Sequence, residues 1–97
     1  MDPTFTLTEK VWLWSGKASW HFVTIPAELS ARIKGFDDPR RKGFRHMPVI
    51  VTIGSTTWRT SIFPEKKGTY LLPLKAEVRK KEGIAENDQI RITITLQ

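Results

Sequence analysis

The sequence predicts one mainly β domain of about six strands with two short α-helices. Its 97 residues suffice for a single domain. Apolar and polar residues alternate along most of the chain, which is the period of a half-buried strand. A strand followed by proline and a helix occurs twice, around Pro26 and around Pro73. These observations indicate two similar strand–helix–strand units, each with a hairpin.

The first strand has one apolar face, which Glu9 interrupts. The turn residues Ser15–Lys17 then connect it to a second strand over Ala18–Ile25, so we expect a hairpin. The apolar face of the first strand consists of Phe5, Leu7, Val11 and Leu13.

The first helix is predicted over Pro26–Lys34, because proline is well tolerated in a first helical turn. Gly35 is a typical helix-ending residue. The segment Asp37–His46 lacks periodicity and is rich in charge, which predicts a loop. The helix carries an apolar stripe, which consists of Leu29, Ile33 and Phe36.

The second half predicts a hairpin, a short strand, a helix and a final strand. The hairpin joins Val49–Ile53 to Thr56–Phe63, and a short strand follows over Thr69–Leu72. The second helix is predicted over Lys75–Glu82, with a glycine after it. The final strand has the cleanest alternation, with Ile90, Ile92, Ile94 and Leu96 on one face.

The two half-units, roughly residues 4–54 and 55–97, match in kind. Neither can bury its apolar face alone, so we expect them to pack about a pseudo-twofold axis in one domain over residues 1–97. The second half is shorter by about the length of Asp37–Phe44. Internal duplication and chance similarity of short amphipathic units both explain the pattern.

Three segments, Trp20–Pro26, Thr57–Pro64 and Gly68–Lys75, resemble hallmark segments of a bacterial domain-of-unknown-function family, number nineteen-oh-five. The resemblance covers Thr4–Leu96. It implies a double-split β-barrel with a capping helix at each end, related to the barrels of AbrB-like regulators and MazE-like antitoxins. It implies no established activity, no cofactor and no catalytic residue, and kinship in fold is weak evidence for function.

Composition limits the setting and the partners. The chain has no cysteine, no apolar run long enough to span a membrane and no signal-peptide pattern at its start. We therefore expect a soluble, cytoplasmic protein that does not associate with membranes. Its net charge of +6 favours an acidic partner, either nucleic acid or an acidic protein.

The sharpest candidate site for such a partner is a basic loop. Arginine binds phosphate in a fork geometry, and a nearby aromatic ring can stack on a base. The alternative is a solvated loop whose charges only keep the protein soluble, and this alternative is the more common. The candidate residues are Arg40, Arg41, Lys42, Phe44 and Arg45, with Lys66 and Lys67 as an extension.

The aromatic strand residues form a second candidate, a groove for a small ligand or a protein. For Trp20 and Trp58, core filling is the more common role of a strand tryptophan. Trp12 and Trp14 share a face with polar residues, which indicates exposure and a contact surface. The predicted groove comprises Trp12, Trp14, Trp58, Arg59 and Tyr70.

No pattern for catalysis or metal binding is present. The two histidines, His21 and His46, lack a ligand spacing, so we expect no metal, and no nucleotide-binding or nucleophile motif occurs. The sequence thus predicts a non-enzymatic bacterial binding module whose basic loops engage nucleic acid or another acidic partner. The alternative is a small-ligand or protein-interaction barrel that uses the strand aromatics.

Overall fold

A computed structural model describes residues 3–16, 19–37 and 46–97 of the chain. Within them lie six strands and two α-helices. In chain order these are β1 (Thr4–Leu13), β2 (His21–Ile25), α1 (Ala27–Lys34), β3 (Met47–Ile53), β4 (Thr56–Pro64), β5 (Tyr70–Pro73), α2 (Ala76–Glu82) and β6 (Gln89–Leu96).

The strands close into an antiparallel barrel in the order β1-β2-β5-β4-β3-β6. The barrel consists of two sheets, and two strands, β1 and β4, belong to both of them. Residues Thr4–Lys10 of β1 pair with β6, whereas Val11–Leu13 pair with β2. Similarly, β4 pairs with β3 along Thr56–Ile62 and with β5 only through Phe63 and Pro64. Closure leaves no unpaired edge among the six described strands, and the predicted fold class of a mainly β barrel with two helices is confirmed.

Strand alternation fills the barrel with aliphatic side chains. Every second residue of β3 is buried, and Ile92, Ile94 and Leu96 of β6 are buried as the alternation predicts. Branched residues suit this interior because their stiff side chains pack well on a pleated surface. Those with no exposed surface are Val11, Val23, Ile25, Ile33, Val49, Val51, Ile62, Leu72, Ile92 and Ile94.

Helix α1 is fixed to the barrel by a buried hydroxyl group. Pro26 is the residue before the helix, so α1 begins one residue later than predicted. Ser30 is fully buried, and its hydroxyl donates to the carbonyl of Ile25 at 2.9 Å while accepting the N–H of Tyr70 at 3.1 Å. The hydroxyl thereby satisfies backbone groups of β2 and β5 that water does not reach.

Helix α2 also begins one residue later than predicted, at Ala76, and ends at Gly83 in the left-handed conformation with φ of 65°. Glycine takes this conformation without a steric cost. The Nε of Arg79 donates to the carbonyl of Leu74 at 3.1 Å. At the other end of the helix, Glu82 accepts a hydrogen bond from the hydroxyl of Thr56 at 2.5 Å, which ties α2 to the β3–β4 turn.

Three predictions about individual elements are corrected. The second strand begins at His21, and Ala18, its predicted start, lies outside the described residues. Leu13 is 37% exposed because it lies at the last position of β1, past the buried Val11. Phe36 is 57% exposed because α1 ends at Lys34, and its ring meets the edge of another ring, that of Phe5, instead of entering the core.

Candidate ligand-binding site

The predicted basic loop stays a prediction. Its members Arg40, Arg41, Lys42, Phe44 and Arg45 lie outside the described residues. The two lysines of its predicted extension, Lys66 and Lys67, are exposed in the turn between β4 and β5.

The predicted aromatic groove is divided by the fold. Trp58 and Arg59 line one cavity, whereas Trp12 and Trp14 line another. Tyr70 is only 3% exposed and lines neither of these two cavities, so its prediction as a groove residue is corrected. The reason is strand alternation, because Tyr70 and Leu72 of β5 point into the barrel while Leu71 between them does not.

The first cavity, which we call the basic cavity, has a volume of about 820 Å³. It lies where β4, the start of β2 and the start of α2 meet. Its walls are mainly aromatic, proline and aliphatic side chains. The lining residues are Ser19, Trp20, His21, Pro48, Trp58, Arg59, Thr60, Ser61, Phe63, Pro73, Leu74, Lys75, Ala76, Arg79 and Gln97.

Three cations and no carboxylate side chain occur among the described residues that line the basic cavity. Arg59 comes from β4, Lys75 immediately precedes α2, and Arg79 lies within that helix. The hydrogen bond from Nε of Arg79 to the carbonyl of Leu74 fixes the root of its guanidinium group while leaving further N–H donors. This arrangement can bind an anionic group next to an apolar body.

Trp58 joins the cavity wall to the protein core. It pairs with Val51 of β3, and its ring is partly buried against the core cluster. Trp58 therefore both packs against the core and lines the cavity. Because such a wall residue is held by packing, the cavity wall is preformed in the folded barrel.

Trp20 departs from the prediction of a core tryptophan. Its side chain is 54% exposed, and it lies just before β2, where it lines both cavities. Phe22, two residues later, is partly buried, whereas Val23 is fully buried. Since side chains alternate across a strand, Trp20 belongs to the face of β2 that points away from the core.

Sequence reasoning missed most of the lining of the basic cavity. The sequence places Lys75 and Arg79 in a predicted helix, Phe63 in a strand and Pro73 just after one, and it groups none of them with the aromatic groove. The barrel brings them together because β4 pairs with β5 and α2 follows β5 directly. Among these residues, only Arg79 has a local signal in the sequence, because it is a cation one turn after the start of a helix.

Other kinds of site were also searched for in the described residues. Within residues 3–16, 19–37 and 46–97, no three histidine, cysteine or carboxylate side chains come together as metal ligands would. Neither helix in that part of the chain has the length and hydropathy needed to cross a membrane.

The fold and site together define a small closed β-barrel with an open, cation-lined cavity on its side. The family model for a domain of unknown function, DUF1905, matches residues 8–94. The chain therefore belongs to this family, as its hallmark segments predicted. A comparison with curated proteins gave no significant match. The relationship to AbrB-like and MazE-like barrels and a bacterial origin stay predictions.

Proposed function

We propose that this protein is a non-enzymatic binding module of the bacterial cytoplasm, and that its basic cavity binds a small anion with an apolar body. The observation that supports this proposal is that Arg59, Lys75 and Arg79 line one apolar cavity, with no carboxylate side chain among its described lining residues. An aromatic or aliphatic carboxylate or phosphate monoester meets both features.

The physical support is that the apolar and the charged lining residues contribute to binding in different ways. Trp58, Phe63 and Pro73 offer apolar surface, whose burial supplies affinity without strong directionality. Arginine side chains add charge-assisted hydrogen bonds of defined geometry. An anion that lacked an apolar body would leave the aromatic wall uncovered, and a neutral body would leave the cations without a partner.

A matched series of probes tests the charge preference. Naphthoate, naphthylmethanol and naphthylmethylammonium share one apolar body and carry a negative, zero and positive charge. Calorimetric titration should rank naphthoate first, about tenfold or more above the neutral alcohol, which is the effect of one good charge-assisted contact. Equal affinities for all three, or preference for the ammonium probe, would reject the proposal.

Paired variants locate the site. Arg59→Gln combined with Arg79→Gln should reduce naphthoate affinity to about that of the alcohol, while the alcohol itself binds as before. Arg91→Gln is the control, because Arg91 is exposed on β6 and does not line the basic cavity. If the control variant lost as much affinity as the double variant, the contribution would come from overall charge and not from the cavity.

Nucleic-acid binding is the second candidate, and the net charge of +6 supports it. Replacing Arg40, Arg41, Lys42 and Arg45 with Ser should leave the melting temperature nearly unchanged and weaken binding to DNA or RNA. A salt series is the measurement, since the slope should flatten by about one unit for each lost phosphate contact. Wild-type protein without affinity for DNA or RNA at low salt would reject this function and leave the cavity proposal untouched.

A further inference from the structure

A second cavity lies on the other side of Trp20 and has a different chemistry. We call it the aromatic cavity, and its volume is about 820 Å³. It is built on the outer face of the sheet formed by β1, β2 and β5. The lining residues are Trp12, Trp14, Gly16, Trp20, Phe22, Glu65 and Leu71.

The strand register brings the aromatic rings together. Trp12 of β1 lies opposite Phe22 of β2, and their ring centroids are 5.2 Å apart with planes inclined by 35°. The rings of Trp20 and Phe22 are 5.9 Å apart and inclined by 42°. The N–H of Trp14 donates to the carbonyl of Trp20 at 2.8 Å, which continues the pairing beyond the end of β1.

The orientation of two tryptophans is set by local contacts. The indole N–H of Trp12 donates to the hydroxyl of Thr24 at 2.8 Å. Gly16 lies so close to the ring of Trp14 that a Cβ atom at this position would overlap it. The rings of Trp12 and Trp20 each contact that of Phe22 at an inclined angle, and all three line the cavity together with Trp14.

Glu65 is the one charged side chain among the described residues that line this cavity. It follows β4 directly, and its carboxylate accepts a hydrogen bond from the hydroxyl of Thr69 at 2.6 Å. The backbone N–H of Glu65 also donates to the carbonyl of Thr69 at 2.8 Å, so the turn is fixed at both its ends. The turn thus places Glu65 in the same cavity lining as four aromatic residues, with its carboxylate bonded to Thr69.

We propose that the aromatic cavity binds a quaternary ammonium group. The faces of aromatic rings carry negative potential, and several inclined rings around one space attract a cation that has shed most of its water. A trimethylammonium group suits such a site because its methyl groups contact the rings while its charge faces Glu65. This inference is independent of the proposal for the basic cavity, since only Trp20 belongs to both linings.

Choline and its neutral isostere dimethylbutanol test the charge requirement at constant shape. Indole N–H signals in two-dimensional NMR report the site, because three of the four tryptophans line it and Trp58 does not. Choline should shift the signals of Trp12, Trp14 and Trp20 and bind about tenfold tighter than the alcohol. Equal binding of both, or no shift at millimolar choline, would overturn the proposal.

Single variants separate the carboxylate from the rings. Glu65→Gln keeps an acceptor for Thr69 and should weaken choline binding severalfold without changing the affinity for the alcohol. Glu77→Gln is the matched control, because Glu77 is exposed on α2 and does not line the cavity. Trp14→Ala should abolish selectivity for choline, and Trp14→Phe should restore part of it. Unchanged choline binding in Glu65→Gln and Trp14→Ala would place the ammonium elsewhere.

The same head group occurs on free metabolites and on trimethylated lysine side chains. A short peptide with one trimethyllysine, compared with its unmethylated form and with tetramethylammonium, distinguishes the two sources. Affinity of the methylated peptide well above that of tetramethylammonium assigns the site to a protein side chain. Similar affinity for the peptide and for tetramethylammonium assigns it to a free small molecule, and preference for the unmethylated peptide contradicts the proposal.

Discussion

The basic cavity and the aromatic cavity have the same volume, about 820 Å³ each, and share the wall formed by Trp20. Their charges are opposite. Arg59, Lys75 and Arg79 line the first, whereas Glu65 alone is charged in the described lining of the second. In both cavities strands supply part of the aromatic surface, with Trp58 and Phe63 in the first and Trp12 and Phe22 in the second, whereas most of the charge comes from a neighbouring segment. That segment is mainly the start of α2 in the basic cavity and the β4–β5 turn in the aromatic cavity.

The two cavities also differ in how their walls relate to the core. Trp58 of the basic cavity packs against the buried cluster. Trp14 of the aromatic cavity is 49% exposed and lies beyond the end of β1. Changes at Trp58 should therefore affect folding and binding together, whereas changes at Trp14 should affect binding alone.

The largest expected effect is on stability and tests this contrast. Trp58→Ala should lower the free energy of unfolding by about 3 kcal/mol, toward the low end of the range for large buried aromatics because the ring is only partly buried. Trp14→Ala should cost less than about 1 kcal/mol, as is usual for exposed positions. Denaturant titration of both variants measures the difference, and equal midpoints would remove the distinction between the two walls.

Much of the fold was predictable because strand alternation and helix-ending residues are local signals. The burial of β6 followed from its apolar period, and the end of α2 followed from Gly83. The predicted internal repeat stays a prediction. The strand pairings are compatible with it, since β1 and β4 each pair with two strands in corresponding ways.

The sites were less predictable because they depend on which strands become neighbours. Sequence indicated that Trp12 and Trp14 are more exposed than a core residue, but it grouped them with Trp58 and Tyr70 in one groove. A shift of one position along a strand moves a side chain to the other face of the sheet. Tyr70 therefore points into the barrel, whereas Leu71 points away from it. Glu65 gave no signal at all, because its place in a cavity lining depends on residues that are far away in sequence.

An intermediate effect is expected at the shared wall. Trp20→Ala removes a half-exposed ring from both cavities. It should therefore lower the affinities for choline and for naphthoate by about fivefold to tenfold each. Stability should change little because the side chain is outside the core. Titration of this variant with choline and with naphthoate measures both affinities. Loss of one ligand with full retention of the other would mean that Trp20 serves a single cavity.

The smallest expected effect concerns Gly16 and separates ring position from ring chemistry. A methyl group at this position would overlap the ring of Trp14, so Gly16→Ala should displace the ring. The ring is half exposed and can move outward, which keeps the change in unfolding free energy below about 0.5 kcal/mol. Choline binding should weaken about threefold, because cation–π attraction depends on the distance to the ring face. Naphthoate binding should not change, since Gly16 and Trp14 do not line the basic cavity.

Gly35→Ala is the control for the substitution itself, because Gly35 has an ordinary helical conformation and lines neither cavity. An unchanged choline affinity in Gly16→Ala would show that the position of Trp14 does not matter, and the cation would then be held by Trp12, Trp20 and Phe22 alone.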